Sequence, residues 1–228
     1  MTIAKADAPL AVAPDRIATA FWRLDVTDAR FDDLAALLSP DERVRADRFY
    51  YDLHRRRFIA ARGLLREALG AHLRVSPGGL RFRVNAHGKP AVAAPVDFPH
   101  FSLSHSGDGA LLAIADSPVG ADIEAIRPYP ADVAGAMFSK GENAVIDAAP
   151  PGPARDAAFC RVWTCREAVC KAEGLGFALD QAAFEVSFSA AERPQIVLNR
   201  AAKASVKPWL LQVWEPAPGF CAAIAWLE

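Results

Sequence analysis

The sequence predicts an α+β fold made of two similar halves. Three observations carry that expectation. First, a Ser-x-x-Glu capping box occurs twice, at Ser39-Pro40-Asp41-Glu42 and Ser139-Lys140-Gly141-Glu142; in such a box serine and glutamate satisfy each other's free backbone donors at a helix start. Second, each box opens a helix that is followed by a longer one. Third, a strand comes next, Phe82-Arg83-Val84 in one case and Phe184-Glu185-Val186 in the other, and then a hairpin. The two series are offset by about 100 residues throughout, the mark of an internal repeat. The expected seam divides residues 1–118 from 119–228.

In chain order, residues 1–18 are rich in Ala and Pro without a period and read as a frayed lead-in. Phe21 to Val26 reads as a first strand. The first box starts a helix running through Phe49 and Tyr50, with Pro40 at its first position. Arg55 to Leu73 is a long second helix, with Ile59, Leu64, Leu65, Ala68 and Leu69 on an apolar stripe, stopped by Ser76-Pro77-Gly78-Gly79. Leu80 to Val84 alternates as a strand and Asn85 to Pro90 turns out of it. Phe101 to His105 and Ala110 to Ala115 form a hairpin across the turn Ser106-Gly107-Asp108-Gly109, the return strand being apolar enough to be buried. Val119 to Glu124 is the strand at the seam. Residues 132–148 and Arg155 to Glu173 read as helices separated by Pro150-Pro151-Gly152-Pro153, and Gly174 and Gly176 end the second. Strands follow at 183–188, 195–199, 208–214 and 220–226.

Composition narrows the function classes. The chain of 228 residues is 52% hydrophobic and 23% charged, ordinary for a soluble globular protein with a real core. A formal net charge of −1 gives no basic field for nucleic acid or a membrane surface, although arginines cluster between Arg43 and Arg66. No apolar run is long enough to cross a bilayer, and the N-terminus has no signal-peptide pattern. Cys160, Cys165, Cys170 and Cys221 form no CxxC pair and read as small core hydrophobes, so a reducing cytoplasm is the expected location.

Two stretches carry chemistry. In Val119-Gly120-Ala121-Asp122-Ile123-Glu124 the strand period puts both acids on one face, opposite Ala121 and Ile123. Two carboxylates that share a buried face repel and lose hydration, and a divalent cation is the simplest counter-charge; solvated acids at a strand end are the plain alternative. In the long second-half helix, Trp163, Glu167 and Lys171 stand four apart along one face, while Val162, Ala168, Val169 and Ala172 look inward. An exposed Glu–Lys pair is the plain alternative there.

Together the stretches read Gly-x-Asp-x-Glu followed about forty residues later by Trp-x-x-(Lys/Arg)-Glu-Ala-x-x-Lys. That pattern resembles the 4′-phosphopantetheinyl transferases, in their larger, monomeric, pseudo-dimeric subtype of the surfactin-synthetase-activating kind. Gly88-Lys89-Pro90, Ser104-His105-Ser106 and the arginine-rich helix Arg55 to Arg66 resemble further family elements in family order. The resemblance covers nearly the whole chain and implies two α+β halves related by a pseudo-two-fold axis. It also implies transfer of the phosphopantetheine arm of coenzyme A to a serine of an apo acyl or peptidyl carrier protein, releasing adenosine 3′,5′-bisphosphate. Secondary metabolite biosynthesis is the setting the subtype suggests.

By the same resemblance Asp122, Glu124 and Glu167 would hold Mg²⁺, Glu167 would act as general base, and Lys171 would neutralise the cleaving pyrophosphate. Lys89, Ser104, His105, Arg45 and Arg57 would contact coenzyme A phosphates. The first half would therefore serve the coenzyme and the second the metal and catalysis. Four positions depart from the family pattern: Arg166 replaces a usual lysine, Glu42 and Phe58 stand where some members have a basic residue and a hydroxyl, and Ala121 replaces a branched residue. Glu142 reads as a helix cap, with a supporting role at the site as the alternative. The rival functions are another Mg-dependent phosphoester or pyrophosphate enzyme acting on coenzyme A or nucleotides, and a non-catalytic carrier-binding module.

Overall fold

The computed structural model describes residues 16–94, 98–129, 135, 137–188, 194–198 and 206–228. The first half runs β1 (Ile17–Arg23), α1 (Asp28–Ala36), α2 (Pro40–Ala46), α3 (Asp52–Leu73), β2 (Arg81–Val84), β3 (Pro90–Ala94), β4 (His100–Ser106) and β5 (Gly109–Ala115). The second runs β6 (Val119–Ala125), α4 (Lys140–Ala148), α5 (Pro153–Glu173), β7 (Phe184–Ser187), β8 (Gln195–Leu198), β9 (Leu210–Trp214) and β10 (Phe220–Trp226). Each half holds a three-stranded antiparallel sheet, β1-β5-β4 and β6-β10-β9, and a separate two-stranded hairpin, β2-β3 and β7-β8. The α+β duplication is thus present strand for strand.

The halves stack as layers. Every residue of the central strands β5 and β10 is buried. Alternate side chains point to opposite faces, so Leu112 and Ile114 of β5 meet Leu65 and Leu69 of α3. Leu111, Ala113 and Ala115 turn the other way, to Val119, Ala121 and Ile123 of β6 and to Phe220, Ala222, Ile224 and Trp226 of β10. On the far side Ala223 and Ala225 of β10 pack on Cys165, Ala168, Val169 and Ala172 of α5. All four cysteines are free and buried, in keeping with a role as core hydrophobes.

Both capping boxes form, and each does more than cap. Glu142 is 0% exposed; it accepts from the backbone N–H of Ser139 at 2.8 Å, from Arg166 Nη1 at 2.8 Å and from the backbone N–H of Val186 at 2.8 Å. Arg166, 3% exposed, also donates to the carbonyls of Phe184 at 3.2 Å and Gln181 at 2.6 Å. The first half repeats the arrangement at matching positions. Glu42 accepts from the Ser39 N–H at 2.9 Å and from Arg66 Nε at 2.7 Å, and Arg66 donates to the carbonyls of Pro77 at 3.0 Å and Leu80 at 3.1 Å. In each half a buried arginine on the long helix therefore ties the short helix to the strand that follows. This explains two of the departures: Glu42 and Arg166 are framework residues, turned into the protein.

Several expected boundaries move. β1 begins at Ile17, inside the expected lead-in, and ends at Arg23 instead of Val26. Helix α1 was not anticipated, because its sequence buries only Leu34 and so shows little apolar stripe; Thr27, whose hydroxyl accepts from the Arg30 N–H at 3.4 Å, is its start signal. α2 stops at Ala46, where three-residue bonds from the N–H groups of Arg48 and Phe49 tighten the chain before α3 begins. The expected turn into Pro90 continues as paired strand β3. Of the helix expected over 132–148, Gly135 and Met137 are helical and Lys140–Ala148 form α4 after a break at Phe138 and Ser139; positions 130–134 and 136 lie outside the described residues. The offset between halves also grows along the chain, since β5 begins at Gly109 and β10 at Phe220.

One glycine sets how closely the layers approach. A Cβ placed on Gly120 of β6 would lie 1.9 Å from the Ala168 carbonyl oxygen and 2.5 Å from the Ala172 nitrogen, both backbone atoms of α5. The helix therefore rests on the strand backbone itself. Substituting Gly120→Ala has to lift α5 away, and overpacking of this kind costs about 1–3 kcal/mol or more; urea unfolding should show a loss in that range. Glu142→Ala leaves the Arg166 charge buried without its partner and should cost about 3–5 kcal/mol in the same measurement.

Candidate active site

The Gly120 contact brings the two chemical stretches together. β6 delivers Asp122 and Glu124; α5 delivers Trp163, Glu167 and Lys171; β4 delivers Ser102, Ser104, His105 and Ser106 from the other half. β4 and β6 belong to different sheets and are joined by side chains instead of a backbone ladder. The Ala121 N–H donates to Ser102 Oγ at 2.9 Å, Ser104 Oγ donates to Asp122 Oδ1 at 2.8 Å, and Ser106 Oγ donates to Glu124 Oε2 at 2.5 Å. The alternation Ser102, Ser104, Ser106 puts all three hydroxyls on the face turned to β6.

Asp122 is 2% exposed. Its Oδ1 accepts from Lys171 Nζ at 2.5 Å, and Lys171 donates in turn to Ser104 Oγ at 2.8 Å. Its Oδ2 is buried and has no hydrogen-bond partner among the described residues. Burial pushes the Glu167 carboxyl above its ordinary pKa, and the negative charges of Asp122 and Glu124 push it further, against the pull of Lys171. Glu124 is raised for the same reasons, burial first and Asp122 after it, with the Ser106 hydroxyl, Arg127 and Lys171 drawing it back. The charges of Asp122 and Glu124 thus act on Glu167. Among the described residues no group of three or more acid, histidine or cysteine side chains is gathered so that it could hold a metal ion. One Asp122 oxygen is held by Lys171 and one Glu124 oxygen by Ser106.

The residues expected to meet coenzyme A divide. His105 stands where burial and the positive charges of Lys171 and Arg45 lower its imidazole pKa, so Arg45, His105 and Lys171 share one region. Phe58, one of the departures, lies under the Arg45 guanidinium at 5.2 Å from its ring centre. Ser104 lies on Asp122, as above. Arg57 is engaged elsewhere, in a two-pronged pair with Asp25 at 2.7 and 2.7 Å. Lys89 Nζ donates to the carbonyls of Val119 at 3.1 Å and Ala172 at 3.3 Å. With Asn85, which donates to the Gly174 carbonyl at 2.7 Å, it caps the C-terminal end of α5, where a helix has carbonyls to spare. Desolvation lowers the Lys89 pKa to about 8.

Two cavities touch residues of this region, one at Lys171 and one at Glu124. One, of about 250 Å³, is lined by Lys89, Pro90, Phe101, Ser102, Lys171 and Gly174. The other, of about 180 Å³, lies against Glu124, Arg127, Tyr129, Phe159, Cys160 and Trp163. Its wall is an aromatic stack, Tyr129 on Phe159 at 4.2 Å and Phe159 on Trp163 at 5.9 Å. The sequence names Trp163 and, within Ser104-His105-Ser106, Ser106 without a role of its own; it gives no sign of that stack. The alternation of serines along β4 was the available signal for Ser106.

Comparisons with known proteins identify the family. The family model described as 4'-phosphopantetheinyl transferase superfamily matches residues 118–225, and the model described as 4'-phosphopantetheinyl transferase, N-terminal, matches residues 22–118. The chain is 40% identical to 4'-phosphopantetheinyl transferase HetI of Nostoc sp. over 69% of this chain and 69% of HetI. It is 28% identical to 4'-phosphopantetheinyl transferase Sfp of Bacillus subtilis (strain 168), over 83% of this chain and 82% of Sfp. To psf-1 of Bacillus pumilus the identity is 32% over 73% and 71%. The chain belongs to the 4'-phosphopantetheinyl transferase family.

Proposed function

We propose that this transferase uses Asp122, Glu124 and Glu167, with Mg²⁺, to move the 4′-phosphopantetheine arm of coenzyme A onto a serine of an apo acyl or peptidyl carrier protein. The observation that supports the proposal is the joining of β6, α5 and β4 through Asp122, Lys171 and Ser104, with Glu167 on the same helix under the charges of Asp122 and Glu124. The residues suit the metal. The buried, unpartnered Asp122 Oδ2 and the mutual repulsion that raises Glu124 and Glu167 both call for a cation, and an all-carboxylate set is the hard-oxygen donor type that Mg²⁺ prefers. When bound, the ion would supply charge neutralisation for the diphosphate under attack.

The chain's own groups divide the remaining work. Glu167 takes the proton of the incoming serine hydroxyl, and its raised pKa suits a base operating near neutrality. The serine oxygen attacks the phosphate that carries the pantetheine arm, and adenosine 3′,5′-bisphosphate leaves. Lys171, fixed by Asp122 and Ser104, meets the charge that develops on that leaving group. The cavity between Lys89 and Lys171 suits the phosphate-rich end of coenzyme A, with Arg45 and His105 close by for its further phosphate, and the aromatic cavity beside Glu124 suits the apolar arm. Lys89 and Arg57 enter this reading as supports: Lys89 positions the end of α5 and Arg57 anchors β1's exit through Asp25. In this reading the first half, residues 1–118, supplies coenzyme contacts, residues 119–228 supply the acids, and the enzyme works as a cytoplasmic monomer. The family-typical setting is secondary metabolite biosynthesis.

The direct test combines the protein, coenzyme A, Mg²⁺ and an apo carrier, read by mass spectrometry of the carrier. Gain of the arm's mass is expected, with loss of the gain on chelating the metal; an unmodified carrier across fatty-acid, polyketide and nonribosomal-peptide types would refute the proposal. Glu167→Gln should lower turnover by about 10²–10⁴-fold, the range of a lost general base. Because it also removes a crowded charge, the variant should unfold at a temperature no lower than the parent's.

Lys89 gives a separate prediction. Its native pKa of about 8 lies below the free-lysine value of 10.5, so between those pH values the unfolded chain binds more protons than the native one. Stability gained from this group therefore rises as pH increases through that window. In Lys89→Met that rise should vanish from the pH dependence of urea unfolding.

A further inference from the structure

We infer that Ser106 is a positioning residue: it fixes the Glu124 carboxylate by a hydrogen bond whose direction the backbone dictates. The Ser106 hydroxyl accepts from the Ala125 N–H at 3.1 Å. A hydroxyl has one proton, and with that backbone donor occupying a lone pair the proton goes to Glu124 Oε2, 2.5 Å away. Glu124 Oε2 is thereby held, and Oε1 makes no hydrogen bond among the described residues. Ser104 treats Asp122 in the same manner, holding Oδ1 and leaving Oδ2 bare. Each acid of β6 therefore has one oxygen pinned by a hydroxyl from β4 and the other left for a ligand. Ser104 also touches Lys171, so its removal disturbs two partners. Among the described residues the Ser106 hydroxyl hydrogen-bonds Glu124 and the Ala125 N–H alone, which makes it the cleaner probe.

The geometry has a second consequence. Glu124 is only partly buried and stands at the end of β6, where the chain leaves the sheet after Ala125. Without Ser106 its side chain has free rotation toward Arg127, whose charge already acts on it. The serine thus opposes a competing ion pair that would draw the carboxylate out of the site. The inference rests on the proposed metal role of Glu124, and groups that orient ligating carboxylates typically contribute about 10–100-fold in metal affinity or activity.

The test uses the full chain with Mn²⁺ as probe, free Mn²⁺ being counted by its electron paramagnetic resonance signal, beside turnover at limiting and saturating metal. Ser106→Ala and Ser106→Val should bind Mn²⁺ about 10–100-fold more weakly than the parent. Turnover should fall at limiting metal, with KM for the carrier unchanged. Ser106→Thr, which has the shape of valine and keeps the hydroxyl, should restore both. Should the alanine variant not fold, the threonine and valine pair decides the matter. Equal Mn²⁺ affinity in the parent and all variants, with the parent active, overturns the positioning role and leaves the acid site standing. Weak binding by Ser106→Thr equal to that of Ser106→Val also overturns it. A parent that binds no Mn²⁺ at all removes the acid-site reading and this inference with it.

Discussion

The site exists because a helix lies directly on a strand backbone. Gly120 lets the Ala168 carbonyl and the Ala172 nitrogen approach to distances that no side chain permits. Two residues further along the strand stands Asp122, and three residues along the helix from Ala168 stands Lys171. The 2.5 Å contact between their side chains is possible only at that separation. Glu167 precedes Ala168 and is carried into the same space. A methyl group at position 120 would move the helix as a unit, and with it every group the second stretch supplies. The motif glycine thus sets where those groups stand.

A duplicated frame surrounds this asymmetric centre. The buried pairs Glu42–Arg66 and Glu142–Arg166 do the same work in each half, joining a capped short helix, a long helix and the next strand. The halves differ where chemistry occurs. Glu67 follows Arg66 as Glu167 follows Arg166, yet Glu67 is neutralised by Arg30, which reaches it from α1. In the sheet register Trp22 and Ala20 of β1 occupy the places that Glu124 and Asp122 hold in β6. One half has apolar residues and a paired acid where the other has acids in mutual repulsion. What the first half contributes instead is β4, whose serines hold the acids across the seam.

The repeat was legible in the sequence because its signals are local: two capping boxes, two long helices and alternating strands. The acids were legible because a period of two in a strand and of four on a helix fixes which side chains share a face. Other features depended on partners distant in the chain. Arg166 sits beside Glu167 and reads as part of the motif, but its side chain points to Glu142 and the carbonyls of Gln181 and Phe184, which no spacing rule reveals. Lys89 and Arg57 are expected on coenzyme A phosphates, and each has acceptors within the protein supplied by tertiary packing. Helix α1 escaped because a helix that buries one leucine leaves almost no pattern.

The loss of acids from one half fixes a stoichiometry. A symmetric pair of identical halves would present the seam twice and could work at both ends of its axis. Here the first half has Ala20 and Trp22 at the register positions of Asp122 and Glu124, so among the described residues the proposed centre occurs at one of the two places. The first half keeps β4 committed to holding those acids, and only its surfaces away from β4 are free to change without disturbing that contact.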